Sequence, residues 1–476
     1  MNLRFAIIGA GLGGALSELP ATKAPRSFAG ASWIVPVLFA LRITLPAAPA
    51  ASGPAPVLRI DPDCPHYFQQ PDGKPVVLIG DYTWGVFSDA DYNYKALFDR
   101  LKADGLNFAR VWLWRGCEQF PTPEYARYNQ RHFEPFLRPG PGIANDGRPK
   151  YDLTRFNPAF FDRLRDVCAA ARQRGVFLQL ITMDAWMIKH PQLWRLHAMQ
   201  RDNNINGVDG DPGNTGTGTD GQQGFCSVGN PKALAFQQAY LRQVVEALSG
   251  CENVLIEIAN ENSYSAQWER QLCEFVRELE RAQPRQHVLM PLDLLNHGHV
   301  VQVWDPREVH AGLLAKQVLS QPLIFDTDWT INPRDDEVRQ AMWAAVLSGG
   351  NFDYMDNSLE YRAQPVPDRR AALHRQIGYL AGFVRPLKLW EMQPDDAPVK
   401  GGDAFVMAST NRLAAYLPRG GVVTLDLGKL TGALRARWFN PRLGTFSKPF
   451  GVEGGRGHEF KALDENDWAL LLKRRP

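Results

Sequence analysis

Between Val254 and Ile258 the chain is apolar and rich in β-branched residues, and directly afterwards it sets Asn260, Glu261, Asn262, Ser263 and Tyr264 in a row. A short apolar run of this kind reads as a buried strand. Its abrupt polar end marks where the strand leaves its sheet. Side chains alternate along a strand, so regular spacing puts Glu257, Ala259 and Glu261 on one face. A parallel α/β barrel keeps its chemistry at this end of its strands. The same residues also suit a helix N-terminus, with Asn260 or Asn262 as the cap and Glu261 in the first turn. Taken alone, the run supports both readings.

The rest of the chain repeats the pattern. After a hairpin over residues 58–75, strands are predicted at 76–84, 106–114, 176–182, 254–258, 287–292, 322–328 and 352–354, with a further strand, sixth in the count, at Val303–Ala311. Helical periodicity separates them at 92–104, 160–174, 231–248, 265–281, 335–348 and 368–384. Strand then helix, repeated with right-handed crossovers, makes a parallel sheet. Over residues 57–386 the count predicts an eight-stranded (β/α)8 TIM barrel. A chain of 476 residues, 45% of them hydrophobic, exceeds the usual size of one domain and supplies a large core.

The strand ends carry the functional signal. Asp81, Trp84, Arg110, Trp112, Trp114, Asp184, Trp186, Asn260, Glu261, Tyr264, Asp326, Asp328, Trp329 and Asp356 all fall at or just beyond the C-terminal end of a predicted strand. A barrel gathers those ends at one mouth. One Trp alone reads as core, but several around a set of carboxylates suit a sugar, whose C–H faces stack on rings while its hydroxyls need polar partners. Hydrolysis of a glycosidic bond requires two carboxyl groups. Glu261 is the first. Residues 322–329 offer Asp326 and Asp328 for the second: Asp328, nearer the strand end, reaches furthest into the mouth, and Asp326 is either a substrate ligand or the alternative nucleophile. The remaining polar and aromatic residues of the set are read as substrate-binding.

Ile258-Ala259-Asn260-Glu261 at the fourth strand end, Arg110 on the second and a carboxylate on the seventh resemble the clan A glycoside hydrolases, the cellulase-like TIM barrels. Within that clan, Gly80-Asp81-Tyr82-Thr83-Trp84-Gly85, Asp152-Leu153-Thr154-Arg155-Phe156-Asn157-Pro158 and Phe160-Phe161-Asp162-Arg163-Leu164 resemble the apiosidase-like group. The resemblance spans about residues 59–385. It implies a retaining double displacement on a plant or bacterial polysaccharide or oligosaccharide, with Glu261 as acid/base, Asn260 on the substrate's 2-hydroxyl and Arg110 beneath the nucleophile. It departs at the seventh strand, where the clan has Glu and this chain has Asp. The alternative from another class is a non-catalytic carbohydrate-binding or adhesion protein with a decayed barrel site.

Residues 1–51 read as a leader. Phe5 to Gly14 matches a dinucleotide-binding fingerprint letter for letter, but Pro20, Pro25 and Gly30 interrupt the helix that fingerprint needs. Lys23 and Arg26, then an apolar stretch at 32–45, then small residues at 47–52 resemble an export signal, placing the protein in the periplasm or outside the cell. Pro36 and Arg42 make that stretch too short for a stable membrane span. The leader's excess of basic residues outweighs the chain's whole formal charge of +2, so the remainder gives no reason to expect nucleic acid. Six scattered cysteines lack metal-ligand spacing, and in an exported protein some pairing is open. No cofactor and no metal are expected. The Gly- and Asp-rich segment 203–224, with Asp209, Asp211 and Asp220, reads as a pocket-shaping loop rather than a calcium loop, and His297 and His299 as substrate-facing or solvent-exposed.

From residue 387 to the end the helical period vanishes, and short alternating strands are predicted at 404–408, 413–417, 422–426, 433–439 and 468–472. This predicts a small antiparallel β-sandwich. Trp438 to Gly444 and Asp467-Trp468 resemble the collagen-binding-type β-domain that often follows these barrels; packing against the barrel is the expected role.

Overall fold

The computed structural model describes residues 57–116, 134–283, 285–294, 304–327, 334–355, 361 and 371–475. The leader, Cys117, His297, His299, Asp328, Trp329 and Asp356 lie outside them. Seven parallel strands form the central sheet: β1 (Ile79–Thr83), β2 (Phe108–Trp112), β3 (Phe177–Asp184), β4 (Val254–Asn260), β5 (Val288–Met290), β6 (Ile324–Phe325) and β7 (Asn351–Met355). Their order is β5-β4-β3-β2-β1-β7-β6. Helices α1 (Tyr94–Asp104), α2 (Pro158–Gln173), α3 (Pro231–Leu248), α4 (Ala266–Glu280), α5 (Pro306–Lys316), α6 (Asp335–Leu347) and α7 (Ala371–Val384) alternate with them, the succession of a (β/α)8 barrel.

The expected strand at Val303–Ala311 is a correction. Val303 lies outside the described residues, and from Pro306 the chain is helix α5. Asp305 caps it, its side chain accepting from the Arg307 amide at 2.9 Å, and Pro306 stands at the first helical position. Asp-Pro is a helix-start signature, and it overrides the apolar residues that follow.

Alternation along the strands builds the barrel interior in layers. Phe108, Phe177, Leu255, Val288 and Ile324 pack with Leu58 and Phe68 of the preceding hairpin into an apolar floor. Two residues further along each strand the same face carries Arg110, Gln179, Glu257 and Asp326, all buried. A charged layer therefore rests directly on a greasy one. On β1 Gly80 pairs with Phe108 of the floor and Tyr82 with Arg110; a Cβ at Gly80 would lie 1.8 Å from the Phe108 carbonyl oxygen, so only glycine lets β1 approach β2 this closely. The outward faces of the strands meet the helices in the main core. Among the described residues no helix is long and apolar enough to cross a membrane, and the five described cysteines are free thiols.

Beyond two short helical turns, Arg385–Leu387 and Leu389–Glu391, the chain enters two antiparallel sheets. The larger contains β8 (Phe405–Ala408), β9 (Arg412–Leu417), β11 (Ala433–Asn440), β12 (Phe450–Glu453) and β14 (Trp468–Arg474); the smaller contains β10 (Val422–Asp426) and β13 (Gly457–Lys461). Their inner faces enclose a core of Leu413, Leu417, Val423, Leu425, Leu434, Phe460, Leu470 and Leu472. The sandwich strands expected from sequence are all present. Those at 450–453 and 457–461 are additions, in a Gly-rich stretch whose alternation is too weak to read.

The outer face of the larger sheet packs on the barrel. Tyr416 of β9 stacks on Trp343 of α6 with ring centroids 5.1 Å apart, and Phe439 of β11 meets Phe383 of α7 at 5.0 Å. Beside them Arg339 of α6 grips Asp467 with two bonds of 2.9 Å, and the Tyr416 hydroxyl donates to the same carboxylate at 3.0 Å. Asp467 is 1% exposed. Removing one partner of a buried pair strands the other charge. Asp467→Ala should therefore destabilise the protein by about 3–5 kcal/mol, measured by denaturant unfolding, whereas an Ala substitution at the exposed Asp72–Lys74 pair should cost under about 1 kcal/mol.

Candidate active site

Arg110 is fully buried and is the hub of the charged layer. Its Nε and Nη2 donate to the two Glu257 oxygens at 3.0 and 2.8 Å, Nη2 also donates to Asn260 Oδ1 at 2.8 Å, and Nη1 to Asp326 Oδ2 at 2.5 Å. The guanidinium plane lies over the Tyr82 ring, 4.3 Å from its centroid. Gln179 completes Glu257 with a 2.8 Å bond. Burial alone would lower the pKa of Arg110, but Asp326 and Glu257 more than offset that and raise it. Burial raises the pKa of Asp326; Arg110 opposes this, and the field of Glu257 adds to it. Asp353, another fully buried carboxyl, stands on the neighbouring strand β7. Asn260 is likewise fully buried, and its Nδ2 has no partner among the described residues, leaving a donor beside Glu261.

At the end of β4 the strand rule breaks. Glu261 has φ +51°, the left-handed region that costs a non-glycine residue energy and collects at functional sites. The expected shared face of Glu257, Ala259 and Glu261 therefore stops at Asn260, whose side chain turns in to Arg110. Nor is Glu261 in a helix first turn: α4 begins at Ala266, capped by Ser265, whose hydroxyl accepts from the Trp268 amide at 3.2 Å. Glu261 instead meets Lys189 at 2.9 Å, both side chains about one-third exposed. Beside it Asp184 is 3% exposed; one oxygen accepts from the Trp186 amide at 2.8 Å and the other has no partner. Burial, and then the charge of Glu261, push Asp184 up to about 8.

The aromatic residues divide. Trp84 and Trp112 stack at 5.2 Å, and Trp112 Nε1 donates to the Tyr82 hydroxyl at 2.6 Å, forming a wall beside Arg110. Trp186 stands over His190 at 4.5 Å, and with Tyr264 it keeps part of its surface open. Two expected ligands are elsewhere. Trp114 is buried among Phe136, His197, Phe225 and Tyr240, because its strand-end position points outward under the following loop. Asp81 faces outward too, one residue out of phase with Gly80 and Tyr82, and lies 3.6 Å from His374 of α7. The structure thus brings together Arg110, Asn260, Glu261, Asp184 and Asp326, and separates Asp81 and Trp114 from them. Asp328, Trp329 and Asp356 belong to the undescribed residues.

Reading of the strand ends missed Glu257, Gln179, Asp353, Tyr82 and Lys189 as members. A signal existed for the first: an acid inside an apolar strand, Glu257, matched by an Arg inside its neighbour, Arg110. Lys189 gave none, since it sits in a short turn (Met187–Lys189) that only folding brings to Glu261. Among the described residues no group of three or more His, Cys, Asp or Glu is arranged to hold a metal ion. In segment 203–224 the carboxylates serve the loop itself: Asp211 accepts from the amides of Thr215 and Gly216 at 2.8 Å, and Asp220 from Gln222.

Comparison with known proteins finds two matching family models. One, described as a domain of unknown function (DUF6298), covers residues 127–292; the other, described as "Putative collagen-binding domain of a collagenase", covers residues 399–473. No curated protein matches the chain. Among solved structures, one titled "Glycoside hydrolase" aligns over 88% of this chain and 97% of its own with a TM-score of 0.59 and 13% identity. A glycoside hydrolase family 5 protein from Bacteroides vulgatus ATCC 8482 aligns over 88% and 93%, with a TM-score of 0.58 and 15% identity. At such identities the likeness is one of fold.

A protonated Asp184 makes the site pH-dependent. Its folded pKa of about 8 lies above the usual carboxylate value of about 3.9. The folded state then holds the extra proton, and its stabilisation is full below about pH 4 and lost as pH rises through about 8. Asp184→Asn keeps the neutral form. Between pH 5 and 8 the unfolding free energy of the variant should fall less steeply than that of the wild type, by at most about 1.4 kcal/mol per pH unit, as read by urea titrations at each pH.

Proposed function

We propose that this chain is an exported glycoside hydrolase that cleaves O-glycosidic bonds of a polysaccharide or oligosaccharide by a retaining double displacement. The carrying observation is Arg110, which joins in one network the residue preceding Glu261 and the carboxylate of Asp326. The clan A resemblance and the fold likeness support the same reading. Glu261 protonates the leaving oxygen and, after departure, takes a proton from water. Asp326 attacks the anomeric carbon. It takes that role ahead of Asp328 because it is the acid seated on Arg110, whose charge favours its carboxylate form. The Asn260 amide, with its free N–H beside the acid, donates to a hydroxyl of the sugar being cleaved. Trp84, Trp112 and Trp186 supply the faces on which sugar rings stack.

Lys189 has a definite part in this cycle. A general acid must reach the glycosidic oxygen, and at rest the Glu261 carboxyl is tied to the Lys189 ammonium at 2.9 Å. Lys189 and Glu261 are both partly exposed, so substrate entry displaces the ammonium and releases Glu261 toward the glycosidic oxygen. Neutral Asp184 beside it avoids placing a second negative charge there.

With an aryl glycoside or a panel of plant and bacterial polysaccharides, Glu261→Gln should lower turnover about 10²–10⁴-fold, with circular dichroism unchanged. Asp326→Asn should abolish it, and Asp328→Asn should leave a measurable rate. Full activity in Glu261→Gln would overturn the mechanism; loss in Asp328→Asn with activity kept in Asp326→Asn would move the nucleophile to Asp328. Proton NMR of the first-formed anomer should show retention, and initial appearance of the opposite anomer would rule out a covalent intermediate.

A further inference from the structure

The larger sheet of the C-terminal sandwich carries an arrangement that sheet energetics disfavours. In register, Arg412 of β9 lies opposite Lys473 of β14, which lies opposite Arg435 of β11, which lies opposite Gly451 of β12. Three cations therefore stand in one row on one face, at strand spacings of about 4.8 Å. Like charges directly opposite each other destabilise a sheet. Only Arg412 is neutralised, by Glu391. Among the described residues Lys473, Arg435, Arg474 and Arg475 have no carboxylate partner; Arg474 is held by Thr431, through the carbonyl and hydroxyl oxygens. Burial, and then Arg412, lower the pKa of Lys473. The row is kept despite its cost.

It also borders a cleft. Arg435, Lys473, Arg474 and Arg475 line a space of about 650 Å³ together with Pro449, Phe450 and Gly451, and no acid lines it. Phe450 is 37% exposed. Gly451 leaves room: a Cβ there would lie 3.0 Å from an Arg475 Nη. Guanidinium forks bind carboxylates through two parallel bonds, and an exposed ring beside them accepts the C–H face of a sugar. The row is bounded, ending on the Arg412–Glu391 pair at one side and with Glu453 opposite Ala433 further along the strand. It fits a few anionic groups of a sugar chain and is too short for the extended backbone contacts of nucleic-acid binding.

We infer that this cleft is a second binding site, separate from the barrel, for a carboxylate-bearing polysaccharide. The choice of a glycan over another polyanion rests on the proposed glycosidase function. The site would hold an acidic polymer beside the barrel and make uronate-containing chains the preferred substrates.

Affinity electrophoresis of the full chain in gels containing polygalacturonate tests this. Migration should be retarded at about 50 mM salt and freed at about 500 mM, where exposed charges are screened. The Arg435→Ser/Lys473→Ser variant should bind at least 10-fold more weakly, with a melting temperature at low salt equal to or above that of the wild type, because a repulsion has been removed. Glu261→Gln, which needs no turnover to bind, should be retarded like the wild type, so failure here and failure of the hydrolysis assays are separate results. Absence of retardation, undiminished retardation of the double variant, or equal retardation by single-stranded DNA of matched charge would overturn the assignment.

Discussion

The barrel depends on one desolvated cation. Arg110 has no access to water, and an isolated buried guanidinium would be prohibitively costly. Its surroundings are therefore constrained: Glu257 and Asp326 must both approach it, Tyr82 must lie flat beneath it, and β1 must carry glycine opposite Phe108, just below, so that the two strands close together. Two carboxylates against one cation leave an excess of negative charge. Burial, and then the field of Glu257, raise the pKa of Asp326 against the pull of Arg110. Such a network adds little net stability over an apolar core of equal volume. What it provides is a single permitted arrangement, which a site built on geometry requires.

Much of this was legible before any coordinates. The barrel and sandwich follow from two periods, strand alternation and helical repeat, and those periods survive because the core enforces them. The strand ends named Arg110, Asn260, Glu261, Asp184 and Asp326, which folding does bring together. The failures have specific causes. Asp81 sits at a strand end but on the wrong side of the pleat, and Trp114 lies two residues past the end of β2, where alternation no longer sets phase. Glu261 escapes alternation because its backbone turns left-handed. Lys189 joins the site through a loop, and loops carry no period. At 305–311 the Asp-Pro helix start outweighs the apolar residues that follow, so the chain is helix where alternation suggests a strand.

Phase also explains how one sheet of the sandwich serves two purposes. On the same outward face of β9, β11 and β14, the residues at one end are Tyr416, Phe439 and Ala469, which seal against Trp343 and Phe383 of the barrel. At the other end the face carries Arg412, Arg435 and Lys473. The inward face is apolar over residues 413–417, 434–438 and 468–472. A sheet that must dock on a neighbour cannot also be charged where it docks, so the cations begin where the contact ends. The buried Arg339–Asp467 pair fixes that orientation.

The shorter acid on β6 finds its explanation in the same hub. An aspartate sets its carboxylate back by about one C–C bond, roughly 1.5 Å, relative to a glutamate at the same backbone position. In a site where the acid is positioned by its own chain, that setback would widen the gap between the two carboxyl groups toward the spacing that admits a water and inverts the product. Here the acid is positioned by Arg110, and Arg110 is itself pinned by Glu257 and Asn260. Glu257 takes up one end of the guanidinium, and the other end, Nη1, meets Asp326 at 2.5 Å without a longer side chain. Asn260 then ties that cation to the residue beside Glu261. On the proposed mechanism, Asp326 and the residue beside Glu261 are linked through Arg110 and Asn260, and that link would let Asp stand where the resemblance places Glu.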